Sequence, residues 1–261
     1  MRKARLKGAA AVAAAALSLS APLALAEVTQ NGTLRVSFEG KIAPHQLPRS
    51  AKAPVAVTLA GDIKTTDGQD PPQLRTITMA INKNGKLDYK GLPRCNFHQI
   101  QPASTADAKA SCKKSLVGTG TFKANVALPE QSPFPSNGTI LAFNGNLHGK
   151  PVIYAHIYGT EPLPTSFVLP FEVKQSNGNY ATTLVAELPQ VAAEWGFVQG
   201  VSLTLQRNFT YKGKRHSYLS AGCPAPKGFP GASFAFARAS FGFEDGRTLS
   251  STMTRSCGVR G

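Results

Sequence analysis

The sequence predicts an all-β fold: an antiparallel β-sandwich or jelly-roll-like architecture with one short helix. Two observations predict it. Apolar residues alternate with polar ones at a period of two, as in Leu34, Val36 and Phe38, which is typical of strands that are buried on one face. In addition, 24 Gly and 19 Pro are scattered along the chain, and neither residue suits the interior of a helix.

Residues 1–26 are predicted to be a removable export signal. Met1 to Lys7 is basic, residues 8–21 are rich in Ala and Leu, and Ala24-Leu25-Ala26 has the small residues of a cleavage site. The apolar run is shorter than the roughly 20 residues that span a bilayer. We therefore expect cleavage after Ala26 and a mature chain, residues 27–261, that has no membrane span.

Further alternating segments are predicted to be strands: residues 55–59, 77–81, 122–128, 167–173, 180–188, 201–205 and 234–243. The last of them changes parity between Phe236 and Phe241, which indicates a bulge near residues 238–240. Four dipeptides typical of hairpin turns stand between strands: Asn84-Gly85, Asn177-Gly178, Lys212-Gly213 and Asp245-Gly246.

The helix is predicted within Ala103–Val117, the longest mature stretch without Gly or Pro. Ser104 can cap its first turn, and Asp107 follows three residues later as a weak capping box. This helix would carry Cys112 toward Cys95.

The four cysteines are predicted to form two disulfides, since an even number in an exported chain is paired in oxidising surroundings. Three pairings are possible, and we favour Cys95 with Cys112 and Cys223 with Cys257, which close the shorter loops. A zinc site is the alternative, but no Cys-x-x-Cys or Cys-x-x-His spacing supports it. The sequence predicts no metal and no cofactor.

Residues 27–261 are expected to form one β-sandwich region, with a candidate internal boundary in the Pro-rich segment 129–138. A weak internal similarity also leaves open an arrangement of two related β units. Gly85 and Gly213 each follow an alternating strand, and a cysteine comes ten residues after each of them.

The charge balance indicates the class of partner. The net formal charge of +15 becomes +11 once the four basic residues of the signal are removed. Lys212, Lys214, Arg215 and His216 cluster at one predicted hairpin tip, near Arg207. Such a surface attracts anionic envelope polymers, glycans or lipids, although a charge that only keeps an exported protein soluble is the more common case. The export signal and the lack of a recognition module argue against nucleic acid.

Few residues are candidates for chemistry. His156 lies in an apolar run, where burial would lower its pKa as in a catalytic dyad, although a histidine satisfied within the sheet is the more common case. Asp62, Asp67 and Asp70 gather near a turn, but their spacing is not that of a helix-loop-helix calcium site. Trp195, the only tryptophan, suits a core position better than a sugar platform.

Several stretches of the mature chain resemble those of uncharacterised exported proteins from high-GC bacteria: Gly91 to Cys95, Ser132 to Pro135, Leu141 to Gly145 and Tyr218 to Pro226. The resemblance implies export from a bacterial cell. It implies no catalytic or binding residue.

Together these features predict an exported, disulfide-stabilised β protein that acts as a non-catalytic binding module of the cell envelope or the extracellular space. The alternative is an exported hydrolase whose site is assembled from distant residues, such as His156 and an acid. The ligand and the oligomeric state stay open.

Overall fold

A computed structural model describes residues 26–161, 164–188 and 196–260. The described residues form 18 strands, numbered β1 to β18 in this order: Glu27–Asn31, Leu34–Ala43, Gln46–Pro48, Ala53–Pro54, Ala56–Thr65, Leu74–Asn82, Gly85–Leu87, Leu116–Val126, Phe134–Leu147, Lys150–Gly159, Thr165–Gln175, Tyr180–Glu187, Gly196–Leu205, Asn208–Tyr211, Lys214–Ser217, Leu219–Ala221, Gly231–Phe243 and Thr248–Arg260. Helix α1 spans Thr105–Ser111, and 3-10 turns span Phe97–Gln99 and Lys113–Ser115.

The all-β prediction is confirmed. Thirteen strands form one sheet in the order β1-β2-β5-β13-β8-β9-β10-β11-β12-β6-β17-β18-β3. Every pair in it is antiparallel except β18 with β3. The narrower expectation of a sandwich or jelly roll is not confirmed, because hydrogen bonds connect the thirteen strands in a single curled sheet. Segment 129–133 joins two neighbouring strands of this sheet, β8 and β9.

The sheet curls until β1, at one edge, meets β18, which lies next to the opposite edge strand. Glu27 of β1 accepts a hydrogen bond from the Arg255 guanidinium of β18 at 2.7 Å, and Thr29 Oγ1 donates to the Ser250 carbonyl at 3.0 Å. The same Arg255 donates from Nε to the Gly40 carbonyl of β2 at 2.6 Å. Side chains of both termini therefore hold the curled sheet together.

The main core fills the concave face of the sheet. The alternation predicted for β2 is observed, since Leu34, Val36 and Phe38 are at most 3% exposed. Phe38 packs edge-on against Phe241 of β17, with ring centroids 6.0 Å apart, although eight strands lie between β2 and β17 in the sheet order. The shared apolar face therefore explains why the sheet curls rather than staying flat.

A second core lies on the outer face of β9 and β10. The segment that contains α1 covers this face, and Ile100 and Ala108 pack there against Phe143 and Tyr154. The helix prediction is confirmed, because Ser104 caps α1 by accepting a hydrogen bond from the Asp107 amide at 3.2 Å.

The prediction of two disulfides is confirmed. Cys95 pairs with Cys112, with 5.5 Å between the Cα atoms, and Cys223 pairs with Cys257, at 5.7 Å. The first bond fixes the α1 segment to the outer face of the sheet, and the second ties the loop after β16 to β18. In the loop-entropy treatment, closures of this size contribute about 3 and 4 kcal/mol respectively to the free energy of unfolding.

Candidate functional site

Charged residues are sorted between the two ends of the curled sheet. At one end lie the segments 44–55, 83–95, 112–115 and 206–230, which carry thirteen Lys and Arg but only one acid, Asp88. We call it the basic end. The segment between 95 and 112 leaves this end and covers the outer face of β9 and β10. The described connections at the opposite end, within 66–73, 127–133, 160–164 and 244–247, carry six acids and one Arg. This separation concentrates the positive potential at one end.

The most prominent part of the basic end is the hairpin of β14 and β15. Lys212 and Gly213 form its turn with φ angles of 49° and 72°, and two successive positive values are typical of the tight turn that matches the strand twist. The predicted hairpin is thus confirmed. Lys212, Lys214 and Arg215 are all exposed.

One face of the hairpin packs on the segment that follows β7. His216 stacks on Phe209, with ring centroids 5.4 Å apart, and the Tyr211 ring lies over Gly91. Gly91 has a φ of +80°, and a Cβ atom there would overlap the ring. The close approach therefore requires glycine at this position. These contacts hold the cationic tip in a defined position.

Asp88 is the acid beneath the hairpin. Its carboxylate lies 3.6 Å from Nδ1 of His216 and 3.2 Å from Nζ of Lys86. Its Oδ1 also accepts a hydrogen bond from the Lys90 amide. One carboxylate thus contacts three groups: the His216 ring, the Lys86 ammonium and the Lys90 amide. A single acid therefore stands among several basic residues.

Lys52 extends the cationic surface next to β7. Its ammonium donates to the carbonyls of Lys83 and Gly85, at 2.7 and 3.1 Å. Burial, and next the charge of Lys86, hold the pKa of Lys52 below its ordinary value. Repulsion between Lys52 and Lys86 is the sign of a cluster that an anion would stabilise.

The sequence pointed to His156 as the histidine of interest, and the structure places it in the outer core. It is 0% exposed, and its Nε2 lies 2.9 Å from the Ala103 carbonyl. Burial lowers its pKa, and the Ala103 carbonyl opposes that effect. No hydrogen bond joins it to a carboxylate within the described residues. The imidazole is thus kept neutral and helps to hold the α1 segment on the sheet.

The one histidine that meets an acid within the described part is His216, with Asp88. Ser217, its neighbour, is buried and donates its hydroxyl to the Leu219 carbonyl at 2.7 Å. The pair therefore has no adjacent serine hydroxyl that is free to act as a nucleophile, and its contacts are those of an anchor for the hairpin.

The acidic residues near the predicted turn bind different partners and do not form one common site. Asp67 Oδ1 accepts from the Gln69 amide at 3.2 Å, while Asp70 accepts from the Asn125 amide group at 2.7 Å. Hydrogen bonds, from the Thr65 hydroxyl first and the Gln69 amide second, lower the pKa of Asp67. No group of three metal-ligating side chains occurs in the described ranges.

Two sequence predictions fall at the limits of the structure. Ala26 is exposed and directly precedes β1, while the rest of the predicted signal lies outside the described residues. Trp195 also lies outside them.

Sequence reasoning missed the partners of the hairpin: Asp88, Gly91 and Lys86. Three charged residues, Lys86, Asp88 and Lys90, occupy every second position directly after the predicted turn Asn84-Gly85. In a strand, such residues point to the same face. That signal shows an exposed strand but not its contact with a hairpin more than a hundred residues later.

Comparison with known proteins adds no further lead. The chain matches no protein family, no curated protein and no solved structure. None of the helices in the described ranges is long and apolar enough to cross a membrane. The geometry of the basic end therefore carries the functional argument.

Proposed function

We propose that this protein is an exported, non-catalytic binding module of the cell envelope, and that its basic end binds an anionic surface. The observation that carries the proposal is the sorting of charge: thirteen Lys and Arg against one acid in the segments at one end. The predicted export signal, the two disulfides and the resemblance to exported bacterial proteins support a site of action outside the cytoplasm.

The geometry supports binding rather than mere solubility. Cations that only keep a protein soluble are spread over the surface, whereas here they gather on elements that are held by specific contacts. The hairpin carries three exposed cations and rests on Gly91 and Asp88. A fixed array loses less conformational entropy on binding than three independent side chains on a mobile loop.

The test is co-sedimentation of the oxidised mature chain, residues 27–261, with cell-wall sacculi, anionic vesicles and neutral vesicles at low and high salt. The variant Lys212→Gln/Lys214→Gln/Arg215→Gln removes the charges of the hairpin tip. The control Arg35→Gln/Lys64→Gln/Lys123→Gln removes three charges from strand positions away from the basic end.

We expect binding to an anionic target that weakens as salt rises, because exposed charges are screened. The hairpin variant should lose at least tenfold in affinity for that target, while the control variant keeps most of it. Equal losses in the two variants would show that binding depends on the net charge and not on the basic end. If the unmodified chain bound none of the targets, the proposal would be wrong.

A further inference from the structure

An aromatic side chain protrudes from the basic end. Phe229 lies in the loop between β16 and β17 and is 60% exposed, the highest exposure among the large apolar side chains described. Its ring has no stacking partner among the described residues. Exposed apolar side chains are common singly, so the surroundings of Phe229 decide whether its exposure has a function.

The loop that carries Phe229 is fixed rather than loose. The Arg49 guanidinium donates to the carbonyls of Ala225 and Phe229, at 2.6 and 2.8 Å, and also to the Pro226 carbonyl. The Phe229 amide in turn donates to the Pro226 carbonyl at 3.1 Å. These bonds close the loop into a turn, with Phe229 at its outer side.

The ends of the loop are fixed as well. The Val259 amide donates to the Pro230 carbonyl at 2.7 Å, and Cys223 is bonded to Cys257. Gly228 supplies the positive φ of 89° that the turn requires. The fold thus holds the apolar ring of Phe229 in an exposed position.

The chemistry around the ring is cationic. Lys227 is exposed two residues before Phe229, and the whole connection 206–230 contains no acid. The hairpin tip repeats the combination, because Tyr211 is 37% exposed and Lys212 Nζ lies 5.5 Å from the centroid of its ring. Two tips that pair an aromatic ring with a lysine therefore belong to the same end of the sheet.

We propose that the anionic surface bound by the basic end is a lipid bilayer, and that the Phe229 ring enters the boundary between its headgroups and acyl chains. This inference rests on the proposed function and names its partner. Aromatic rings next to lysines are the combination that suits this boundary, since the ring leaves water while the ammonium meets lipid phosphates.

An anionic polysaccharide fits the loop less well. Sugar hydroxyls need acceptors around the aromatic ring, and carboxylates commonly supply them. Here three carbonyls of the loop are occupied by Arg49, and the connection has no carboxylate. In addition, Phe229 stands at the tip of a turn rather than on a flat strand face, a shape suited to insertion rather than to stacking.

The test measures partition of the oxidised mature chain into vesicles of phosphatidylglycerol mixed with phosphatidylcholine, into vesicles of phosphatidylcholine alone, and onto sacculi. Phe229→Ala is compared with Val28→Ala, which removes an apolar side chain that is 48% exposed on β1. We expect Phe229→Ala to weaken partition into the anionic vesicles about tenfold. This loss should persist at high salt, while Val28→Ala leaves partition unchanged.

A second variant reports the position of the side chain directly. The fluorescence of Phe229→Trp, measured against the unmodified chain to subtract Trp195, should shift to shorter wavelength on anionic vesicles and be quenched by brominated lipid. Unchanged partition of Phe229→Ala together with an unshifted Trp spectrum would overturn the inference.

The outcomes also separate this inference from the proposed function. Binding to sacculi but not to vesicles would overturn the lipid partner and leave the anionic surface standing. Vesicle binding that the hairpin variant and Phe229→Ala both leave intact would contradict both proposals.

Discussion

Arg49 and Phe229 are 180 residues apart in sequence, yet the Arg49 Nη2 atom donates to the Phe229 carbonyl at 2.8 Å. The same guanidinium reaches two further carbonyls of the loop. Arg49, from the connection before β4, thus sets the conformation of the loop that carries Phe229, the most exposed large apolar side chain in the described residues. Hydrogen bonds from a charged donor contribute about 1.5 to 3 kcal/mol each, so the loop conformation depends strongly on Arg49.

Arg49→Gln is therefore expected to loosen the loop. The bond after Lys227, which is exposed, should become at least tenfold more susceptible to trypsin, because a protease needs a segment that can open locally. Mass spectrometry of the fragments identifies the cut. The matched control is Lys52→Gln, which removes a cation that bonds carbonyls of a different connection. Equal cleavage after Lys227 in both variants would show that Arg49 does not fix the loop.

Gly91→Ala is expected to displace the hairpin of β14 and β15. The positive φ at Gly91 costs about 1 kcal/mol with alanine, and overlap with the Tyr211 ring adds about 1 to 3 kcal/mol. Gly213→Ala is the control, since Gly213 has a similar φ of +72° but no atom within 4 Å of an added Cβ.

Urea unfolding of both variants separates the two effects. The free energy of unfolding should fall clearly further for Gly91→Ala than for Gly213→Ala. Equal losses would mean that the contact between Tyr211 and Gly91 does not anchor the hairpin.

The sequence predicted local features well and distant contacts poorly. Alternation in Leu34, Val36 and Phe38 and the Lys212-Gly213 turn each depend on neighbouring residues, so each was visible in the sequence. The bulge in β17 was predicted near residues 238–240, but the register shifts between Ala235 and Ala237. A parity change shows that a bulge exists, but the neighbouring strand decides where it lies.

The curling of the sheet and the contacts of the candidate site could not be predicted. Glu27 meets Arg255 across 228 residues, and Asp88 meets His216 across 128. Such pairs depend on the order of strands in the sheet, which the period-two pattern leaves open, since it shows only which face of a strand is buried. For this reason the cationic hairpin was predicted, whereas the surface on which it rests was not.

Tyr218→Phe is expected to stabilise the protein. Tyr218 is 0% exposed, and its hydroxyl has no hydrogen-bond partner in the described part of the chain. Burial raises the pKa of this phenol far above its ordinary value, so the group stays neutral. Removing an unpaired buried hydroxyl should raise the free energy of unfolding by about 1 kcal/mol.

Tyr154→Phe is the matched control, because the Tyr154 hydroxyl is also in the core but donates to the Asn146 carbonyl at 2.8 Å. This variant should lose about 1 kcal/mol. Thermal or urea unfolding measures both changes. A loss for Tyr218→Phe as large as that for Tyr154→Phe would show that the Tyr218 hydroxyl has a partner in solution.

His156 is expected to make the protein less stable as the pH falls below 6.5, the ordinary pKa of histidine. Burial lowers the pKa of His156 in the folded chain, so the unfolded chain takes up a proton at a pH where the folded chain does not. Stability therefore rises with pH between the lowered folded value and 6.5. In acid, proton uptake favours the unfolded chain, or a chain in which the α1 segment has left the sheet.

The measurement is urea unfolding at about pH 7.5 and about pH 5.5, where one such group changes stability by up to about 1.4 kcal/mol per pH unit. In His156→Gln, whose amide can still donate to the Ala103 carbonyl, the difference between the two pH values should shrink by about 1 kcal/mol. His45→Gln, which replaces an exposed histidine, should leave the difference as it is. An unchanged difference in His156→Gln would mean that His156 is not kept neutral by its burial beneath the α1 segment.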